Sequence, residues 1–185
     1  MNNKGKLIIV SGLSGVGKGT ILNRYFELYP KESVLSISAT TRPPRPGEEE
    51  GKAYFFKTEE EFRQMIENGE FLEYACFVDH YYGTPRKWVE DEMALGKNVI
   101  LEIEQQGAFQ VKKKIPETVM VFVLPPSKEE LIRRLKKRGS ETDEQIKKRL
   151  AQAEKEKENI KYYDHVIINE DVEKSAQMLH NVICS

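Results

Sequence analysis

The sequence predicts an α/β protein built on a five-stranded parallel sheet, with a small inserted module and a helical lid. Short, β-branched apolar runs alternate with longer amphipathic stretches, as strands buried on both faces by helices do. A glycine-rich stretch, "SGLSGVGKGT" (11–20), follows the first apolar run and leads into a helix. Two blocks, 39–83 and 127–158, interrupt the alternation.

The first strand is "KLIIV" (6–10), bounded by glycine. "KGTILNRYFELY" (18–29) reads as a helix that stops at Pro30, whose ring cannot continue it. "SVLSIS" (33–38), "NVILEIE" (98–104), "TVMVFVL" (118–124) and "HVIIN" (165–169) read as the remaining strands. In "TPRKWVEDEMALG" (84–96), Thr84 is the expected N-cap, Pro85 the first helical residue and Gly96 the stop. "SKEELIRRLKKRG" (127–139) opens with a capping box, Ser127 with Glu130, and the helix over 142–160 with another, Thr142 with Gln145. A last helix runs from about Asp171 to Cys184. Residues 39–83 combine a helix boxed by Thr58 and Glu61 with an aromatic run, which reads as a module with its own antiparallel strands. Two helices around a Gly-Ser corner outline the lid, and "EKEKE" (154–158) reads as solvated helix face. The chain thus divides into a core (1–37, 85–126 and 159–185), an inserted module (38–84) and a lid (127–158). Sheets of this kind bind ligands at the carboxyl ends of their strands.

Lys and Arg number 29 and Asp and Glu 30, a net charge of −1 that argues against a nucleic-acid or membrane-surface protein. Any basic site must be local. Cys76 and Cys184 lie far apart and fit no metal spacing, so reduced thiols in a cytoplasmic protein are expected. The N-terminal apolar run is too short for a signal peptide.

Strand, then G-x-x-x-x-G-K, then helix is a phosphate-cradling loop. Gly12, Gly15 and Gly17 let backbone amides converge on phosphate oxygens, the helix adds its positive N-terminus, and Lys18 adds a full charge. Gly19 stands where the motif normally has Ser or Thr, and Thr20 supplies a hydroxyl one residue later. Glu102, with Glu104, is the candidate carboxylate for orienting hydrated Mg²⁺. The N-K-x-D and D-x-x-G motifs of GTPases are absent. His80, His165 and His180 form no catalytic pattern and read as surface or packing groups. Arginines sit where anions would bind instead. Arg42 and Arg45 are held extended by flanking prolines. Arg134 and Arg138 share a helix face, and Arg149 lies on the next helix. Phosphoryl transfer to a phosphate acceptor needs such charge and no general base.

"SGLSGVGKGT", "SISATTRPPRPGEEEGKAYFF", "FLEYACFVDHYYGTP", "LEIEQQGA", "PPSKEELIRRLKKRGSETDEQIKKRLAQAEKE" and "HVIINED" follow one another as in guanylate kinases, and the similarity covers nearly the whole chain. The resemblance implies a P-loop kinase core, a GMP-binding module and a lid. It implies the reaction of ATP with GMP to give ADP and GDP with Mg²⁺, by a monomer or homodimer that engages no nucleic acid or membrane. By resemblance, Gly12, Leu13, Ser14, Gly15, Val16, Gly17, Lys18, Gly19 and Thr20 hold ATP phosphates, and Asn169 lies near the ATP base. Thr20 and Glu102 serve the metal through water. Arg42, Arg45, Tyr54 and Tyr82 bind the GMP phosphate, Ser38, Glu73 and Thr84 read guanine, and Glu104 lies nearby. Arg134, Arg138 and Arg149 close over the transferring group.

Base chemistry supports this reading, because guanine offers two adjacent donors, N1–H and N2–H₂, that one carboxylate can accept. Adenine presents a lone pair there instead. The sequence departs from the family at Leu13 (usually Pro or a small residue), His80 (often Asn), Gln105 (often Trp) and Glu104, where Asp is expected. Two alternatives remain at this stage: a ribose bisphosphate kinase of related fold, and a guanylate-kinase-like binding module without catalysis.

Overall fold

The apolar run after Gly5 becomes β1 (Leu7–Gly12), and every one of its residues is buried, as a strand covered on both faces requires. The computed structural model describes residues 4–77, 79–137 and 142–185. From β1 the chain runs through α1 (Lys18–Leu28) to β2 (Ser33–Leu35), and then into β3 (Ala39–Thr40), β4 (Phe55–Phe56), α2 (Glu59–Glu67), β5 (Phe71–Phe77) and β6 (His80–Pro85). It continues with α3 (Arg86–Ala94), β7 (Asn98–Glu102), α4 (Gln105–Lys114), β8 (Val119–Leu124), α5 (Lys128–Lys137), α6 (Asp143–Lys157), β9 (His165–Ile168) and α7 (Val172–Cys184). Among the described residues, no helix is long and apolar enough to cross a membrane.

The five expected strands form one sheet in the order β2-β7-β1-β8-β9, and every pairing is parallel. β1 lies at its centre, so the segment after Gly12 emerges between two neighbours at the carboxyl edge, where such sheets bind ligands. Helix α7 buries Ala176, Leu179 and Ile183, a stripe at helical spacing, and packs on α1.

The inserted block forms its own sheet, β4-β3-β6-β5. β3 pairs antiparallel with β6, and β6 with β5, while β4 joins β3 in parallel. Its small core is Ala39, Phe62 and Phe71, with the two phenyl rings stacked at 4.4 Å. A core separate from the main one is the physical meaning of a module.

Three expectations are corrected. The second strand ends at Leu35, not Ser38. Ser36 donates a last bond to Ile100, and by Ser38 the chain is accepting from Phe55 of the other sheet. Thr84 does not cap α3: it belongs to β6, and Pro85 takes the N-cap position. Its hydroxyl serves Glu73 instead. The box at α5 is half made, because Ser127 accepts from the Glu130 amide while the Glu130 carboxylate binds Arg133 and Arg134. The boxes at α2 and α6 form in both directions.

Candidate active site

The loop between β1 and α1 takes the shape its glycines permit. Gly15 and Gly17 have φ of 85° and 97°, a region that side chains with a Cβ rarely adopt. A Cβ on Gly17 would also come within 2.9 Å of the Asn169 amide nitrogen. Leu13 and Val16 are fully buried, so of the residues expected at ATP these two offer backbone alone. The Val16 carbonyl accepts from Asn169 Nδ2 at 2.8 Å and Arg134 Nη1 at 2.9 Å, and Arg134 Nη2 donates to the Asn169 carbonyl at 2.9 Å. Asn169 is 2% exposed, and its side-chain oxygen accepts from Ser175. Its amide thus braces the loop, and Arg134 ties the same brace to α5.

Because α1 starts at Lys18, its first amides and its positive end face a cleft of about 460 Å³ lined by Ser14, Gly15, Gly17, Lys18, Gly19, Thr20, Asn23, Glu102 and Glu104. Lys18 Nζ donates to the Gly12 carbonyl at 2.8 Å and stands 3.8 Å from Glu104 Oε1. Across from it, burial pushes the Glu102 carboxyl above its usual range; Lys18 pulls it back and Glu104 pushes it up. Both Glu102 oxygens point at Gly19, each 3.9 Å from where a Cβ would stand. Arg149 of α6 reaches the loop and donates to the Ser14 hydroxyl. Arg138, named with it from the sequence, lies outside the described residues.

The second half of the site is on the inserted sheet. Glu73 of β5 is 6% exposed and accepts from the Thr84 hydroxyl at 2.6 Å across the β5–β6 pair. Burial raises its carboxyl above the ordinary value, opposed by the Thr84 bonds and by Lys114. Ser38 is half-buried, just before β3. Arg42 lies with its guanidinium carbon 5.4 Å from the Tyr54 ring centre, and Tyr54 meets Tyr82 edge-on at 6.1 Å. Arg42 Nη2 donates to both oxygens of Glu48 at 2.8 and 2.9 Å, which holds that carboxyl below its usual range. Arg45 is exposed and gives Glu48 its backbone amide.

Helix α4 joins the two halves. Glu104 occupies its N-cap position and lines the phosphate cleft. One turn on, a Cβ on Gly107 would come within 2.7 Å of Glu73 Oε2.

Three groups escaped sequence reasoning. Gly107 had a signal, being a glycine inside a helix, which costs about 1 kcal/mol relative to alanine without a packing reason. Glu48 had none beyond the acidic run beside Arg45. Glu156, read as solvated, is half-buried; burial raises its carboxyl, with Glu104 adding to the rise and Lys18 opposing it. The departure at Gln105 is also explained: its amide donates to the Glu156 carbonyl at 2.7 Å and accepts from Asn159 at 3.1 Å, which fastens α4 to the end of α6.

A family model described as "Guanylate kinase" matches residues 4–185. The guanylate kinase of Mycoplasmoides gallisepticum is 52% identical over 182 residues, spanning 98% of this chain and 93% of that protein. That of Caldanaerobacter subterraneus subsp. tengcongensis is 50% identical over 183 residues, 99% of this chain and 88% of that one. Among solved structures, guanylate kinase from Anaplasma phagocytophilum superposes with a TM-score of 0.76 at 36% identity, covering 99% of this chain and 86% of its own. Shikimate kinase from Bacteroides thetaiotaomicron, with a TM-score of 0.52 at 16% identity, shares the fold alone. The glycine-cradled cleft, the buried carboxylate on the inserted sheet and these full-length matches lead to one statement: the chain belongs to the guanylate kinase family.

Proposed function

We propose that the chain transfers the γ-phosphoryl group of ATP to GMP, giving ADP and GDP, with a phosphate-loop core, a GMP-binding module (38–84) and a lid (127–158). The observation that carries this reading is the first turn of α4, which touches the phosphate cleft through Glu104 and the buried Glu73 through Gly107. The donor and acceptor sites are built on one rigid element.

ATP phosphates lie on the loop amides from Gly12 to Thr20, against Lys18. Guanine enters the module with its N1–H and N2–H₂ donating to Glu73, and the hydroxyls of Ser38 and Thr84 fix its other edge. Arg42, Arg45, Tyr54 and Tyr82 hold the GMP phosphate, which competes with Glu48 for Arg42. The acceptor oxygen is already ionised, so it attacks the γ-phosphorus directly, and the bond to the β-bridging oxygen breaks with its electrons leaving on ADP. Arg149, with Arg138, brings lid charge onto the group in flight, while Arg134 keeps the loop shaped. The cleft's donors are hard oxygens, the Thr20 hydroxyl and the Glu102 and Glu104 carboxylates, which fit Mg²⁺. Thr20 and Glu102 would hold it through water, and once bound it neutralises charge on the β- and γ-phosphates. The free thiols of Cys76 and Cys184 support a reducing, cytoplasmic setting.

The test is a coupled ADP assay with GMP, AMP, IMP and ribose bisphosphate as acceptors. GMP should exceed AMP by about 10⁴-fold in kcat/KM, since a site built on hydrogen bonds leaves its buried groups unpaired with the wrong base. Comparable turnover of AMP, or preference for the sugar phosphate, refutes the assignment.

The raised Glu73 carboxyl gives a pH signature. Guanine's donors need the ionised form, so the KM for GMP is flat above the Glu73 pKa and rises below it. Because that pKa is shifted up, the rise begins at a higher pH than an ordinary carboxylate would give. In Glu73→Gln this limb vanishes and only the ionisation of the GMP phosphate remains. The same shift makes the nucleotide-free fold lose stability as pH climbs from the ordinary carboxyl value of 4.5 through the folded value, because over that window the folded state binds the extra proton. A KM profile identical in both proteins would place guanine elsewhere.

A further inference from the structure

Away from the nucleotide cleft, the end of α7 meets the residue just before β2. His180 and Cys184 are one turn apart on α7 and share a face, and Glu32 approaches from the other side. His180 Nδ1 lies 2.9 Å from Glu32 Oε2. Cys184 Sγ lies 3.7 Å from His180 Nδ1 and 3.8 Å from Glu32 Oε2, and the three ligand atoms fall within 4.8 Å of one another. The geometry points to a zinc-class metal site formed by Glu32, His180 and Cys184, with water as the fourth ligand.

Ligand chemistry and distances agree. Thiolate, imidazole and carboxylate form the donor set that a borderline-soft dication such as Zn²⁺ selects over Mg²⁺. Tetrahedral bonds of about 2.0–2.3 Å set ligand–ligand edges of about 3.3–3.6 Å. Both edges to sulfur are close to this span, and the His180–Glu32 edge has only to open by a few tenths of an ångström. The imidazole is already held in place, stacked on Tyr29 with ring centres 3.8 Å apart and planes at 4°. A Glu–His contact alone is an ordinary surface bond; a thiol within similar reach of both, beside a clamped ring, completes a three-ligand set. Glu32 and Cys184 are exposed and His180 is half-buried, so the fourth position opens to solvent. Lys6 is close enough to act on the Cys184 thiol and donates to the Ile183 carbonyl at 3.3 Å. On binding, the thiol releases its proton to solvent as the metal–sulfur bond forms, and His180 binds as the neutral ring. The ion would staple α7 to the segment leaving α1, the helix whose other end carries Lys18. The inference is independent of the kinase reading.

The test titrates untagged, full-length, metal-free protein with Co²⁺ in excess Mg²⁺, which keeps hard-oxygen groups such as Glu102 and Glu104 occupied. One equivalent should produce thiolate-to-cobalt charge-transfer absorption and the intense d–d bands of a tetrahedral ion, and Zn²⁺ should abolish both. Cys184→Ser should remove the charge-transfer band and weaken Zn²⁺ binding by at least about 100-fold, since even groups behind a metal's ligands are worth 10–100-fold. Glu32→Gln should weaken binding and keep the sulfur band, and Cys76→Ser should change neither. Zinc at 100 times its Kd should raise Tm by about 5–10 °C in the unaltered protein and not in Cys184→Ser, while ADP formation is the same in both. Absence of the band, its survival in Cys184→Ser or its loss in Cys76→Ser overturns the assignment.

Discussion

Replacing Lys18 with alanine is expected to lower kcat for GMP phosphorylation by about 10³-fold or more, with the KM for GMP nearly unchanged. The magnitude follows from what one preorganised donor contributes where charge develops in a transition state, about 10²–10³-fold for a neutral group and more for a full charge in a site shielded from water. The ammonium is fixed before any nucleotide arrives, bonded to the Gly12 carbonyl at 2.8 Å with its side chain only 10% exposed. Its position among carboxylates sharpens the effect. Glu102 and Glu104 share the cleft, and without Lys18 the phosphates would face these two carboxylates with one fewer cation to oppose them. Lys18→Arg should rescue poorly, because a planar fork cannot replace a point charge seated on the Gly12 carbonyl. Separate kcat and KM values for both substrates decide the matter. A fall in kcat below tenfold, or a loss confined to the KM for GMP, would show that Lys18 does not face the group in transfer.

The features legible in the sequence are those with local causes. Strand identity came from β-branched runs, the loop from the spacing of glycines and lysine, and the boxes at Thr58 and Thr142 from contacts three residues apart. The features that escaped depend on partners distant along the chain. "SVLSIS" keeps the look of a strand through Ser38, yet its last part pairs with the Phe55 segment instead of Ile100. Thr84 before Pro85 looks like a cap by every local criterion, but the β5–β6 pairing brings Glu73 to its hydroxyl. Asn169 and Arg134 read as groups at the nucleotide and at the group in flight; that both also bind the Val16 carbonyl is a contact across more than a hundred residues that no spacing reveals. His180 and Cys184 read as bland for the same reason, because their third partner, Glu32, comes from the opposite end of the chain.

Glu73→Gln is expected to cost about 10²–10³-fold in kcat/KM for GMP and to leave turnover with poor acceptors such as AMP nearly as it was, so that selectivity collapses. A carboxylate accepts from both guanine donors at once; an amide keeps one acceptor and turns an N–H₂ towards the other donor. Two charge-assisted bonds are lost or inverted at a site 6% exposed to water, and each is worth about 1.5–3 kcal/mol. The protein itself should tolerate the change. Thr84 retains an acceptor in the new side chain, and a carboxyl that burial holds above its usual range is replaced by a group with no charge to bury, so Tm near neutral pH should hold or rise. Gly107→Ala tests the same pocket without touching its chemistry. The added methyl would stand 2.7 Å from Glu73 Oε2, closer than van der Waals contact permits, and, fixed to the backbone of the first turn of α4, it cannot withdraw. Glu73 must swing away from guanine, raising the KM for GMP at least about tenfold. The KM for ATP should stay put, because Glu104, one turn earlier, keeps its place at the phosphate cleft. If Gly107→Ala weakened ATP and GMP equally, α4 would be deforming as a whole. If Glu73→Gln left the preference for GMP over AMP near its original value, the carboxylate would not be reading the base.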